Sequence, residues 1–156
     1  MAKSDELFTD AYRLSIVHEQ HRQAIDVCKQ ALSLDPENIR IQVFLGMLLS
    51  DYGTSEEKRE SRGYFLKAIS LAKDIDEICD NWFEESALHH LAIWEWNHDE
   101  FIAASLLFLA NYLICKSKES FNFLSQLIAE LTPDAASDLK TVLSKISQLT
   151  ARAAQS

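Results

Sequence analysis

Apolar residues recur at helical spacing along most of the chain, and short polar breaks divide them into blocks. Leu7, Phe8, Ala11, Leu14 and Ile16 form the first stripe behind the acid-first start Ser4-Asp5-Glu6, which predicts a helix running to about Val17. His18-Glu19-Gln20-His21 is polar and short, as suits a tight turn between helices. Ala24, Ile25, Cys28, Ala31, Leu32 and Leu34 give a second helix over about 22–34. Asp35-Pro36 then reads as a stop and restart. Asp35 is expected as the cap of a third helix and Pro36, which lacks the N–H that would go unpaired there, as its first residue. Ile39, Ile41, Val43, Phe44, Leu45, Leu48 and Leu49 make this third helix apolar over much of its circumference until Asp51-Tyr52-Gly53 ends it. Such a helix must be covered on more than one side. Thr54 or Ser55 caps a fourth helix, whose charged opening over 56–62 is expected as a solvated face and whose apolar second half over 64–72 packs. Helices five and six fall at about 75–96 and 99–116, separated by Asn97-His98, and the last pair at about 119–131 and 134–151, separated by Thr132-Pro133. The pattern predicts an all-α domain over residues 1–156 with about eight helices in four hairpins.

Composition agrees with helices packed on helices. Hydrophobic residues make up 47% of the 156 residues, with only 3 Gly and 2 Pro, too few turn residues for a β-sandwich. The formal net charge of -9 would repel nucleic acid and an anionic membrane surface, leaving a protein partner with an apolar or basic segment. The opening MAKSDELFTDAYRL lacks the apolar run of a signal peptide, and no stretch reaches the roughly 18 apolar residues of a membrane span. The longest candidate, 101–115, is interrupted by Ser105 and Asn111. A soluble, cytoplasmic protein is the expectation. Cys28, Cys79 and Cys115, odd in number and scattered singly, are expected as reduced, buried small hydrophobes.

The residues offer little for chemistry. His18 and His21 are three apart, and His89-His90 follow Glu85 by four and five positions, but a zinc or di-iron site needs three or four converging ligands, and the Glu-x-x-His motif that iron bundles carry on each of two helices does not occur twice. No metal or cofactor is expected. Cys28 and Cys115 fall on apolar faces where a thiol stays protonated, and glycines at 46, 53 and 63 cannot build a phosphate loop or an oxyanion hole. The sequence therefore reads as non-enzymatic. Trp94 and Trp96 point about 200° apart on one helix, which assigns Trp94 to the core and Trp96 to an open face; Trp82 is expected between repeats.

One stretch carries a recognisable repeat boundary. Ala24-x3-Cys28, Ala31, Pro36 and Leu45-Gly46 match the pattern of small, aromatic and terminal-proline positions in a unit of about 34 residues. Phe8 takes the aromatic place of the first unit, where Ala11-Tyr12 depart from Leu-Gly. Ser61-x3-Phe65 and Ala68 serve the second after a three-residue insertion near Gly53; Leu91-Ala92 and Ala104-x3-Phe108 serve the third, which lacks the proline. On these residues the chain resembles the tetratricopeptide repeat (TPR) family over about 7–111, with repeats at about 5–36, 37–73 and 75–117 and capping helices at about 119–151.

The resemblance implies a right-handed α-solenoid of hairpins whose first helices line a concave groove. A plain helical bundle, which closes on itself and leaves no groove, is the competing architecture. Carried over position by position, the lining is Thr9, Arg13, Ile16 and Val17, then Val43, Met47, Ser50 and Asp51, then His89, Ile93, Trp96 and Asn97. The expected partner-binding set is Arg13, Val17, Val43, Met47, His89, Ile93 and Trp96, a largely apolar surface suited to anchoring a peptide or helix. The Lys/Asn clamp of relatives that hold acidic chaperone tails is absent, since Thr9, Arg13 and Met47 stand at its positions. The layout over 87–130 is similar to that of the small acidic three-repeat chaperones of type III secretion translocators. The implied function is an adaptor or chaperone for a segment of another protein. The alternative is an assembly protein, such as a homodimer, that self-associates through the same surface.

Overall fold

The computed structural model describes residues 2–80 and 86–129, with Ser137, Thr141, Ser144, Lys145, Gln148 and Arg152 beyond them. Among the described residues the regular elements are all helices: α1 (Lys3–Ile16), α2 (His21–Leu34), α3 (Ile39–Tyr52), α4 (Ser55–Leu71), α5 (Ile75–Cys79), α6 (Ala87–Asn97), α7 (Phe101–Cys115) and α8 (Lys118–Ala129). The all-α class follows directly. The expected eighth helix over 134–151 and the place of Trp82 lie outside the described residues, apart from the six positions just named.

The principal contacts run in chain order. Helices α1 and α2, α3 and α4, and α6 and α7 form hairpins, joined to one another through α2 with α3 and α4 with α6, and α8 lies on α7. Small residues sit at the crossings. Ala11, Ala24 and Ala31 are fully buried against Ile25, Cys28, Ile41, Phe44, Leu45, Leu48 and Leu49, so two backbones approach where larger side chains would hold them apart. A second crossing joins α3 to α4: a Cβ placed on Gly46 would stand 2.7 Å from Cε1 of Phe65. Further along, Phe65 packs with Leu91 and Trp94, and Ala92 and Ala104 pack with Phe108, Leu124 and Leu127. Phe44, Phe65 and Phe108 are each almost wholly enclosed, and each contributes roughly 1.5–3 kcal/mol through apolar burial.

Several boundaries differ from the sequence expectation. Asp35 does not cap α3. Asn38 does, its Oδ1 accepting from the Ile41 N–H at 3.2 Å, while Asp35 accepts from the Asn38 amide. Residues 36 and 37 form a turn, so α3 starts three residues later than Pro36. The single helix expected over 75–96 is divided: α5 ends at Cys79, and Ser86 caps α6 by accepting from the His89 N–H. At α4 the expected cap is present as a full capping box between Thr54 and Glu57. Three tight turns use left-handed backbone without glycine, at Glu19, Asp99 and Lys116, with φ of 54°, 63° and 58°.

The cysteines divide in two. Cys79, at the end of α5, and Cys115, at the end of α7, form a disulfide across a sequence separation of 36, so these two are not the reduced thiols expected. The reason is tertiary: α5 packs on α7, which brings their C-terminal ends together with Cα atoms 5.0 Å apart. The cysteine pattern thus ceases to support a reducing compartment. Cys28 is free and buried, and burial pushes its thiol up to about 12, which keeps it protonated as the sequence predicts. Among the described residues no helix is long and apolar enough to cross a membrane.

Candidate partner-binding surface

The expected groove residues fall into three groups according to what packs over them. Arg13 and Val17 lie on the exposed end of α1, with Val17 65% and neighbouring Ile16 59% exposed. Tyr12 belongs to the same face, its ring 5.8 Å from Phe44. Thr9 is exposed and donates to the Asp5 carbonyl one turn back. This end of α1 is held by α3: Phe8 meets Phe44 edge-on at 5.6 Å, and Arg40 lies over the Phe8 ring.

On α3 the expectation divides. Val43 is 0% exposed, enclosed with Ala68 and Ala87 and flanked by Ile39 and Ile69, so it belongs to the core and not to a lining. The α4 and α6 helices cover it, as an apolar helix of this kind requires. Met47 is half-buried between that cluster and the one formed by Phe65, Leu91 and Trp94.

On α6 the lining is covered by α8. His89 is 1% exposed; its ring meets Phe108 and Phe123 edge-on, and its Nδ1 shares a 3.1 Å hydrogen bond with Ser120 Oγ. Ile93 and Trp96 are half-buried on the same cluster, with Trp96 edge-on to Phe108 and Phe123. His89 is therefore corrected to core, and Trp96 is packed instead of open. Trp94 is core as expected: Nε1 donates to the Lys58 carbonyl at 2.9 Å, and the ring stacks on His98 and lies beneath Arg62.

The sequence reading missed four polar features. Ser86 donates to Asn111 Oδ1 at 2.6 Å, and Asn111 Nδ2 donates to Ser120 at 2.7 Å, so Ser86, Asn111, Ser120 and His89 form a buried network across α6, α7 and α8. Glu57, expected within a solvated face, binds Arg22 at 2.7 Å and Lys29 at 2.9 Å and ties α4 to α2. The Arg22 hydrogen bond, then the Thr54 N–H and Lys29, hold its carboxyl down at about 2. Arg62, in the same charged run, pairs at 2.6 Å with Glu95, whose side chain is buried. Finally, a cleft of about 390 Å³ opens beside the α3 N-terminus, lined by residues of both signs including Glu37, Arg40, Lys73 and Glu77.

His21, His89, His90 and His98 have packing roles. His21 stacks on Tyr52 at 3.6 Å and hydrogen-bonds Ser15. Glu85 lies outside the described residues, and among those described no three His, Cys, Asp or Glu side chains converge to hold a metal. Of the expected groove, the part left uncovered is the α1 end, Arg13 and Val17, with Tyr12 and Ile16 exposed beside them. No protein-family model matches the chain, and no curated protein is significantly similar to it.

Proposed function

We propose that the chain is a TPR-like, right-handed helical-repeat scaffold that holds an apolar or basic segment of a partner protein, without catalysis of its own. The observation that carries this reading is the chain-order packing of the three hairpins, which ends at α1 with Tyr12, Arg13, Ile16 and Val17 uncovered beside α3. Adjacent apolar side chains left in water at the open end of a stack of hairpins are a surface waiting for a partner. Burying them stabilises a complex at roughly 25 cal/mol per Å², less the ordering of the bound segment. The net charge of -9 favours a segment that is basic around its apolar anchors.

The test is selection from a library of displayed peptides, followed by affinity measurement of the enriched sequences. Enrichment of apolar-basic peptides is expected, with affinity at least about tenfold weaker for Val17→Glu, roughly the 1.4 kcal/mol of one lost anchor. The melting temperature should stay unchanged because Val17 is mostly in water. Peptides that bind wild type and Val17→Glu equally well would refute this assignment.

A further inference from the structure

Helix α5 has five residues, too few to hold helical structure on their own in water. Its hydrogen bonds are local. The Lys73 N–H donates to Glu77 Oε2 at 2.8 Å, the Glu77 N–H to Asp74 Oδ1 at 2.9 Å, and the Ile78 N–H to the Asp74 carbonyl. Among the described residues, no hydrogen bond or ion pair joins 73–80 to another helix, and none of these residues belongs to a hydrophobic cluster of the core. Asp74, Asp76, Glu77 and Asp80 make no ion pair with Lys116 or Lys118 beside Cys115; the Lys116 ammonium donates to the Leu113 carbonyl instead. Although α5 packs on α7 and α6, its one specific tie to them among the described residues is the Cys79–Cys115 bond.

The same segment walls a cavity. Lys73 and Glu77 line the cleft of about 390 Å³ that Glu37, Asn38 and Arg40 line from the start of α3. The bond that fixes this wall is within reach of solvent: Cys79 and Cys115 are each half-buried at a helix end, whereas Cys28 is wholly enclosed. The hairpins cohere without α5, since α4 packs directly on α6 and α6 on α7.

We infer that the Cys79–Cys115 disulfide is a redox latch: oxidised, it holds α5 on α7 as a wall of the cleft, and reduced by a small thiol it releases residues 72–80 and opens the cleft while the hairpins stay folded. The exchange proceeds in two steps. A small thiolate attacks one Sγ, giving a mixed disulfide and freeing the other cysteine as its thiolate. A second small thiolate then attacks the small molecule's sulfur and frees the first cysteine. Two small thiols are oxidised to one disulfide, and their protons end on the two cysteines. Once released, 73–80 carries four carboxylates and one lysine on a chain of net charge -9, so repulsion favours its staying in water. This inference is independent of the binding reading above, because it uses other residues.

Amide hydrogen exchange on the full chain, oxidised and then reduced with excess glutathione, tests the latch. In the reduced chain the amides of Lys73, Glu77 and Ile78 should exchange at least about tenfold faster, while those of α2 and α3 keep their rates and circular dichroism keeps the helical signal. Oxidised glutathione should restore slow exchange. The double variant Cys79→Ser with Cys115→Ser should exchange fast over 72–80 under both conditions, which separates the bond from the reagent. Equal rates over 72–80 in the oxidised and reduced chains would overturn the proposal, because α5 would then dock without the bond. So would faster exchange throughout with loss of the helical signal, which would make the bond a staple of the whole fold. A bond that glutathione opens only in denaturant would also overturn it.

Discussion

Gly46 and Gly63 both lie within helices, in α3 and α4, and substituting each by alanine separates packing from propensity. In a helix interior, Gly→Ala gains about 1 kcal/mol from backbone entropy alone. At Gly63 nothing stands within 4 Å of the added Cβ, so Gly63→Ala should stabilise by about that amount. At Gly46 the added Cβ would stand 2.7 Å from Phe65 Cε1 and 3.0 Å from Cδ1 and Cζ. That ring cannot swing clear, because it is 1% exposed and stacks on His90. Forcing a methyl group into a filled core costs about 1–3 kcal/mol, so Gly46→Ala should be neutral to destabilising by about 2 kcal/mol after the entropy gain. The difference between the two variants, about 1–3 kcal/mol, isolates the α3–α4 crossing. Urea denaturation followed by circular dichroism reads it directly, and in a chain of this size each kcal/mol moves the melting temperature by about 2–4 °C. If Gly46→Ala stabilises as much as Gly63→Ala, the Phe65 ring is not where the crossing requires it.

Three other perturbations bear on the same structure. Breaking the Cys79–Cys115 disulfide by Cys79→Ser should cost about 4 kcal/mol from the loop it closes, and thiol titration of the native oxidised chain should find Cys28 alone, reactive only on unfolding; three titratable thiols in air-exposed protein would refute the link. Glu57 is held from its ordinary 4.5 down to about 2, so its contribution is complete above pH 4.5 and is lost as pH falls towards 2. Glu57→Gln should flatten that part of the stability curve, by about 1 kcal/mol because Arg22 and Lys29 are substantially exposed to solvent. Arg62→Ala strands the buried Glu95 carboxylate and should cost about 3 kcal/mol, whereas pairing it with Glu95→Gln should recover part of the loss in chemical denaturation.

The helices were legible because their burial is periodic. Ala24, Cys28 and Ala31 lie on one face of α2, and the run from Ile41 to Leu49 is buried almost all round because α3 is enclosed by α2, α4 and α6. Thr54 was legible as a cap because Glu57 three residues on completes the box locally. Asp35 read as the cap because Pro36 follows it, and only the fold of the turn shows that Asn38 reaches the Ile41 N–H instead. Ser86 went unread because apolar residues follow it in the same period as those before the break. The disulfide and the Glu57 and Arg62 pairs join residues 28 to 36 positions apart, beyond any local pattern. The groove reading went astray for a related reason. It assigned His89 and Trp96 by position within a repeat, but their exposure depends on the following helix, and Ser120 and Phe123 of α8 cover them.

That cover also sets the cost of opening the α6 face. If α8 moved aside to open the α6 face, Asn111 would remain in an apolar setting without Ser120, and His89 would lose both its hydroxyl contact and the Phe123 ring. A buried polar group deprived of its partner costs about 1–3 kcal/mol. Separating Phe123 from Phe108 and Trp96 adds the loss of a stacked pair and an edge-on pair at about 0.5–1.5 kcal/mol each beyond area. An incoming segment would have to replace several of these interactions at once before gaining anything. The α1 end asks for no such exchange, since Ile16 and Val17 are already in water. Under the binding reading proposed above, the α1 end is therefore favoured over the closed α6 face, the other part of the expected groove.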